Sequence, residues 1–216
     1  GLNQVIAERN QADLGADGLG RLVIPAASGT TVSVSEDFAG SPFGLKLAGV
    51  SSSLTGATVT GPAGSPASIS VDLGATNPNN GDSITYTFNL PDGTTQTLQL
   101  QATTSTTPGP NQFTIGATPA ATAANLQAAL TAGVSQIGST SLMAASTMAA
   151  STDFFDNPPQ RVNGSPATAT SLVDGTTANT VFWYTGGNST ASARSSVTAQ
   201  IGPNTTISYG TQANEQ

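Results

Sequence analysis

The chain has 216 residues, and only 8% of them are charged, so we expect a surface built mainly from Ser, Thr, Asn, Gln and Gly. A net charge of −7, with five Lys and Arg residues in all, excludes the clustered cations that bind nucleic acid or an anionic membrane. Because the chain has neither cysteine nor histidine, Ser-His and Cys-His nucleophilic sites and the usual zinc sites are excluded as well.

The first predicted element is a short helix over residues 2–14, whose apolar residues are concentrated near its start. Glycines in residues 15–20 end this helix, because glycine favours the left-handed conformations found at helix ends and turns. The pattern then becomes extended, and Val32 and Val34 alternate with polar residues as they would in a half-buried strand.

Alternating apolar residues predict two more strands, around residues 45–47 and 69–73. Between them, residues 60–66 (TGPAGSP) are predicted to form a loop from their Gly and Pro content.

The clearest pattern is a β-hairpin whose two strands, residues 84–90 and 98–102, carry apolar residues at every second position. Residues 91–95 (PDGTT) separate the strands, and Asp-Gly is a strong turn signal. The hairpin therefore has one apolar side and one side of Thr and Gln.

A short strand at residues 112–116 is predicted to lead into two Ala-rich helices. Thr118 suits the N-cap of the first helix, Pro119 suits its first turn, and Gly133 suits its end. Its apolar stripe is expected to cover the apolar side of the hairpin, and a second helix is predicted over residues 141–151.

The rest of the chain is predicted to be mostly irregular, with residues 153–176 as a polar, Pro-rich connection. The run FWYTGG at residues 182–187 is predicted to be a strand, and a second hairpin is predicted around residues 202–204. The fold class is thus α+β: mostly antiparallel β-strands and hairpins, with two consecutive Ala-rich helices packed on one sheet.

A cation site is the first chemical possibility, because Asp72, Asn79, Asn80 and Asp82 offer side-chain oxygens within a short stretch. Their spacing departs from that of the calcium-binding loop, which alternates its ligands and closes on a bidentate Glu. A loop leading into a strand explains the same residues, so no metal ligand and no cofactor is assigned.

Two carboxylate pairs, Asp13 with Asp17 and Asp153 with Asp156, have the composition that a glycoside hydrolase needs. A helix end and a solvated loop explain these pairs equally well, and nothing nearby supplies an aromatic platform for a sugar. Lys46 is predicted to be the outward residue of a strand rather than the activator of a serine. No catalytic residue is assigned, and we expect no enzyme activity.

Three weaker patterns are also present. The aromatic run of Phe182, Trp183 and Tyr184 could stack on a ligand, but such a run is more typical of strand packing. Residues 15–20 resemble a phosphate-binding glycine loop only superficially, because no strand precedes them and no helix follows. The N-glycosylation pattern occurs at the three asparagines Asn163, Asn188 and Asn204.

The C-terminal part of the chain resembles bacterial flagellins and flagellar hook-associated proteins of the alphaproteobacterial type. In that family a Trp-Tyr strand and an Arg-Ser step lead into a Tyr-Gly-x-x-Ala-Asn-Glu stretch, which opens the C-terminal helix. Residues 77–130 are also similar to the insert domain inside such flagellins. The residues that match the C-terminal motif are Trp183, Tyr184, Arg194, Ser195, Tyr209, Gly210, Ala213, Asn214 and Glu215.

The resemblance implies a structural subunit of an extracellular flagellar filament or of the hook–filament junction. We then expect residues 1–20 to be the remnant of a helical core connection and residues 21–205 to be the surface-exposed β-rich region. Within it, residues 77–151 form a hairpin-plus-helices module that is either part of one domain or a subdomain. Residues 206–216 are the junction into the C-terminal core helix.

The expected partners follow from the same resemblance. They are other flagellin or hook-associated subunits, reached through long helices beyond this segment, and the export apparatus and chaperone of the full-length protein. No stretch reaches the roughly eighteen apolar residues of a membrane span, and no signal peptide is visible. Because the sequence begins with a lone Gly and has no initiator Met, we expect a segment of a longer protein. The alternatives left open are an adhesin-like or phage-tail-like extracellular binding module and a carbohydrate-active enzyme.

Overall fold

Two four-stranded sheets form the centre of the fold, which a computed structural model describes for residues 1–183 and 197–209. In chain order the helices and strands are α1 (Leu2–Leu14), β1 (Leu22–Val23), β2 (Thr31–Glu36), β3 (Lys46–Ser52), β4 (Thr58–Ala63), β5 (Ser68–Asp72), β6 (Ser83–Asn89), β7 (Thr95–Thr103), β8 (Gln112–Thr114), α2 (Pro119–Ile137), α3 (Met143–Asp156), β9 (Gln160–Val162), β10 (Leu172–Asp174), β11 (Thr198–Gly202) and β12 (Thr205–Ser208).

The first sheet has the strand order β1-β2-β5-β4, and all its neighbouring strands are antiparallel. The predicted alternation is confirmed, because Val32 and Val34 of β2 lie in the core opposite Val71 and Ile69 of β5. The loop predicted for residues 60–66 is partly wrong. β4 continues to Ala63 and pairs with β5 across an irregular register, which tolerates the Gly-Pro pair that suggested a loop.

The second sheet has the order β3-β6-β7-β8 and contains the predicted hairpin as β6 and β7. Its register pairs Ile84 with Leu100 and Tyr86 with Leu98, so the apolar side chains lie together on one side of the sheet. β8 pairs in parallel with β7, which the residue pattern of a three-residue strand could not indicate.

α2 begins as predicted, because the Thr118 hydroxyl accepts a hydrogen bond from the backbone N–H of Ala121. The predicted end at Gly133 is wrong, since the helix runs on to Ile137. A Cβ at position 133 would lie 2.7 Å from the Leu98 side chain, so this glycine serves close packing of the helix on β7.

A π-helical turn, Gly138–Leu142, joins α2 to α3 and makes one continuous helical rod. Such a turn accommodates an extra residue without ending the helix. The second helix is therefore longer than predicted and ends at Asp156 rather than near Ser151. The two helices predicted from their Ala-rich composition are confirmed, and the break between them is not.

The region predicted as an irregular connection, residues 153–176, is more ordered than its Pro and polar content indicates. It contains the end of α3 and the antiparallel pair β9–β10, whose strands are too short to show a clear period. The strand predicted at residues 182–187 is not formed at Phe182 or Trp183, and its remainder lies outside the described residues. The hairpin predicted around residues 202–204 is confirmed as β11 and β12.

One hydrophobic core joins the two sheets, α2 and the start of α3, which confirms the α+β class of antiparallel sheets with Ala-rich helices. The division at residues 21, 77, 151 and 206 stays a prediction, and residues 210–216 lie outside the described chain. None of the described helices combines the length and the apolar character that crossing a membrane demands.

Candidate functional site

α1 is fixed to the rest of the molecule by a buried polar network at one end of the fold. We call this region the base: α1, α3, the pair β9–β10 and residues 41–44. One small apolar cluster lies in it, formed by Ala12, Phe43 and Ala169 with the partly buried Val162 and Leu172.

The Asp13 carboxylate lies at the centre of the base and is completely buried. It accepts hydrogen bonds from Arg9 Nε at 3.0 Å, from the Gly44 backbone N–H at 2.7 Å and from the Ser146 hydroxyl at 2.6 Å. These donors come from α1, residues 41–44 and α3, so one side chain holds three segments together. A buried charge is tolerated only with partners of this kind.

Arg9 extends the network across the base. Its guanidinium donates to the Pro42 carbonyl at 3.3 Å, lies 3.8 Å from an Asp153 carboxylate oxygen and stacks 5.2 Å from the centre of the Phe43 ring. Arginine can make all these contacts at once because its planar group combines several donors with a face that packs on aromatic rings.

Arg21 approaches the same Phe43 ring, with its guanidinium carbon 5.9 Å from the ring centre. It donates to Asp37 at 2.6 Å and to the Ala12 carbonyl at 3.1 Å, so it satisfies the C-terminal end of α1. Its φ of 66° is in the left-handed region, which is uncommon for a residue other than glycine. The surrounding contacts hold this conformation in place.

Two further contacts join the middle of α1 to β9 and α3. Glu8 forms a two-pronged ion pair with Arg161 of β9, and the Glu8 hydrogen bond raises the pKa of Arg161 above its ordinary value. The Asn10 side chain donates to the Thr147 hydroxyl of α3 at 3.3 Å. α1 is thus held along its length in one orientation.

Every Lys and Arg of the described residues lies in an ion pair with a carboxylate. The four are Arg9, Arg21, Lys46 and Arg161. Three of these cations lie in or beside the base, and the fourth, Lys46 of β3, pairs with Glu36. The expectation that the chain does not bind nucleic acid stays a prediction.

Three of the four candidate cation ligands, Asp72, Asn80 and Asp82, accept hydrogen bonds from the protein's own donors, and the Asn79 side chain donates to the Thr55 hydroxyl at 3.0 Å. Asp82 accepts from the backbone N–H groups of Thr55 at 2.9 Å and Asn79 at 2.8 Å, and these bonds lower the pKa of Asp82. The Asn80 side-chain oxygen accepts from the Thr104 N–H at 3.0 Å. These oxygens join turns, as a loop leading into a strand requires.

Asp72 forms hydrogen bonds with residues other than those of that turn. Its carboxylate accepts from the Thr30 hydroxyl at 2.6 Å and the Gly74 N–H at 2.9 Å, and the Thr30 bond is the main reason that its pKa is lowered. Among the described residues, no three acidic side chains converge on a point where they would hold a metal ion.

The members of the two carboxylate pairs differ in their surroundings. Asp13 is buried, whereas the Asp17 carboxylate accepts from the Leu19 N–H at 3.1 Å on the surface. Asp153 contributes to the base through Arg9, which separates its role from that of the exposed Asp156. Lys46 pairs with Glu36 at 3.7 Å, which agrees with a role on the strand surface.

The remaining predicted features have structural explanations where the structure describes them. Trp183 donates from its indole N–H to the Phe154 carbonyl at 2.9 Å, and its ring meets Phe155. The glycine-rich residues 15–20 form the turn that closes α1, with Gly20 N–H donating to the Leu14 carbonyl.

Of the three N-glycosylation patterns, Asn163 is exposed after β9 and Asn204 is exposed in the turn between β11 and β12. Asn188 and the aromatic residue Tyr184 lie outside the described residues.

The base is the feature that the residue pattern did not identify. The spacing of Arg9 and Asp13 is a signal for an ion pair on a helix, but the same spacing is usual on solvated surfaces. Ser146 and Gly44 carry no sequence signal, because they come from segments distant in the chain.

Comparison with protein-family models, with curated proteins and with solved structures gives no match for this chain.

Proposed function

We propose that this chain is the outward-projecting domain of a structural subunit of the bacterial flagellum, either flagellin or a hook–filament junction protein. The observation that carries the proposal is the attachment of α1 through the buried Asp13 network. A domain that projects from a polymer needs a fixed angle to the helix that connects it to the polymer. Several directional hydrogen bonds set such an angle better than apolar contact alone.

The surface suits this location outside the cell. β-branched threonines stiffen the exposed sides of the strands, and few charged groups are present there. A chain without cysteine can pass through an export apparatus in an unfolded state without forming disulfides. The resemblance of residues 183–215 to the flagellar motif supports the same function.

The proposed role is structural and needs no enzyme activity. Of the carboxylates considered for catalysis, Asp13 and Asp153 contribute to the base and Asp17 accepts a hydrogen bond in a surface turn. The proposed partners are other flagellar subunits, bound through long helices on both sides of this segment. The export apparatus and a chaperone would act on the full-length protein.

Electron microscopy of the natural full-length protein tests the proposal. Long filaments formed by the protein alone would identify flagellin, and assembly only at hook ends would identify a junction protein. The full-length sequence should contain heptad-bearing helices on both sides of this segment. A cleaved signal peptide or a β-solenoid stalk in their place would overturn the proposal.

The 216-residue chain itself should be a monomer or a weak oligomer. Two of its outer strands discourage edge-to-edge pairing: β8 has three residues, and β4 contains Pro62 beside a register shift. Light scattering that shows long polymers of this chain would contradict assembly through the flanking helices.

A further inference from the structure

A surface groove lies beside the base, at the outer edge of the first sheet. Its volume is about 350 Å³, and its lining comes from the turn after α1, from β1, from the turn after β2 and from the segment between β9 and β10. Two apolar side chains in it are exposed to solvent, Val23 at 47% and Phe38 at 52%. Large apolar side chains left open side by side in a groove are typical of binding surfaces.

The backbone at this groove belongs to an open sheet edge. β1 is the outermost strand, and the Arg21 carbonyl accepts from the Asp37 N–H on the β2 side. Because consecutive residues of an antiparallel strand turn their polar groups to opposite sides, the Leu22 carbonyl is directed to the outer edge. The Leu22 N–H already donates to the Leu19 carbonyl at 3.1 Å, so a bound peptide finds one backbone acceptor here, beside the apolar side chains of the groove.

The charges in the groove favour a basic peptide. The Arg21 guanidinium is already engaged by Asp37 and by the Ala12 carbonyl, so this ion pair is close to neutral. Asp17, which also lines the groove, then leaves one uncompensated carboxylate, and the chain as a whole carries a charge of −7. A Lys or Arg beside an apolar residue is complementary to this combination.

We propose that this groove binds an extended peptide segment of another protein, with an apolar side chain on Val23 and Phe38 and a basic side chain at Asp17. The four Lys and Arg residues that the structure describes are already held in ion pairs, which favours another protein over a second copy of this chain as the source of the basic side chain. The inference goes beyond the flagellar proposal and does not depend on it.

Selection of a random peptide library displayed on phage against the immobilised chain tests the inference. The enriched peptides should combine Lys or Arg with a neighbouring apolar residue. Synthetic copies of these peptides should shift the backbone NMR resonances of residues 15–23, which include β1. The double variant V23S/F38S should bind these peptides at least about tenfold more weakly, as expected when apolar contacts at the centre of an interface are lost.

The charge is tested separately with D17N. This variant should weaken binding by no more than about fivefold, and the loss should shrink at high salt, as for a surface ion pair. The matched controls are V173S, an exposed apolar residue on β10, and D92N, an exposed carboxylate in the β6–β7 turn; both should bind as the parent chain does. Circular dichroism should show that all variants are folded, since every altered side chain is exposed.

Three results would overturn the inference. The first is no enrichment, or enrichment of acidic peptides. The second is equal binding to the parent chain and to V23S/F38S. The third is a concentration-dependent dimer of the parent chain that V23S/F38S abolishes, which would assign the groove to contact between copies.

Discussion

The base and the two sheets are stabilised by different interactions. The sheets and α2 share a continuous core of aliphatic and aromatic side chains. Few residues of the base belong to this core. The base instead contains Arg9 and Arg161, with Arg21 beside it and Asp13 buried among these cations. Apolar burial depends on area and is tolerant of direction, whereas hydrogen bonds to a buried carboxylate fix both distance and angle.

This difference agrees with the proposed function. In a projecting domain the sheets need only a stable shape, which an apolar core provides, whereas α1 would need a defined orientation. Arg9 and Arg161 both hold α1 to neighbouring segments in a chain with only 8% charged residues. Substitutions in the two regions should therefore differ in kind, and the expected effects below run from the largest to the smallest.

Replacing Asp13 with Ala should have the largest effect. The change leaves the Arg9 guanidinium, the Gly44 N–H and the Ser146 hydroxyl without their acceptor, and loss of one partner of a buried ion pair costs about 3–5 kcal/mol. Denaturant unfolding measures the loss. The control D156A removes an exposed carboxylate and should change stability by less than about 0.5 kcal/mol. Equal losses in the two variants would contradict the role of the base.

Replacing Leu130 with Ala tests the apolar side of the comparison. Leu130 is completely buried in the shared core, and truncating such a side chain costs about 2–5 kcal/mol through lost burial and a cavity. Met148 is exposed on α3, so M148A should be nearly neutral in the same unfolding experiment. In contrast to D13A, L130A should leave α1 attached, which hydrogen exchange at α1 amides would reveal. Selective exposure of α1 in L130A would contradict this separation.

Much of the apolar architecture was predictable because short stretches of sequence carry a regular spacing of apolar residues or a helix-start signal. The β6–β7 hairpin alternates over two long runs, and Thr118 with Pro119 marks the start of α2. The end of α2 was not predictable, since a glycine that stops a helix and one that allows close packing look alike in sequence.

The base was even less accessible to sequence reasoning. Asp13 has the local pattern of a surface residue, and its burial depends on segments about thirty and more than one hundred residues away. The peptide groove combines four segments in the same way. Residues 60–63 and 160–162 were missed as strands because Gly, Pro and short length conceal their period.

Ionisation of Tyr86 should have a smaller effect on the free energy of unfolding, and this effect should be visible at high pH. Its hydroxyl is buried without a hydrogen-bond partner, and burial raises the pKa of Tyr86 above its ordinary value of 10.0. Above that value the unfolded chain loses this proton and the folded chain keeps it. Stability should therefore fall by up to about 1.4 kcal/mol per pH unit.

The variant Y86F isolates this effect. It should be about 1 kcal/mol more stable at neutral pH, because an unsatisfied hydroxyl no longer has to be buried, and its stability should decline less above pH 10.0. Unfolding curves of both chains across this pH range provide the measurement. Parallel pH profiles would show that the Tyr86 hydroxyl has a partner or access to solvent.

The smallest effect concerns the turn carboxylates of the sheets. The Thr55 and Asn79 N–H groups lower the pKa of Asp82, and the Thr94 hydroxyl lowers that of Asp92. A lowered pKa contributes stability above the unfolded value of 3.8, and this contribution is lost as the pH falls through the folded value. NMR titration of the carboxyl groups should give midpoints below 3.8 for both residues. Higher midpoints would mean that these turn bonds are not formed in solution.

The direct test of the proposed orientation uses single cysteines in the natural full-length protein, since this chain has none of its own. D92C lies in the exposed β6–β7 turn, and A7C lies on the exposed side of α1 in the base. Maleimide should label D92C equally fast in monomers and in assembled filaments, and should label A7C much more slowly after assembly. Protection of D92C together with free labelling of A7C would contradict an outward-projecting domain held at its base.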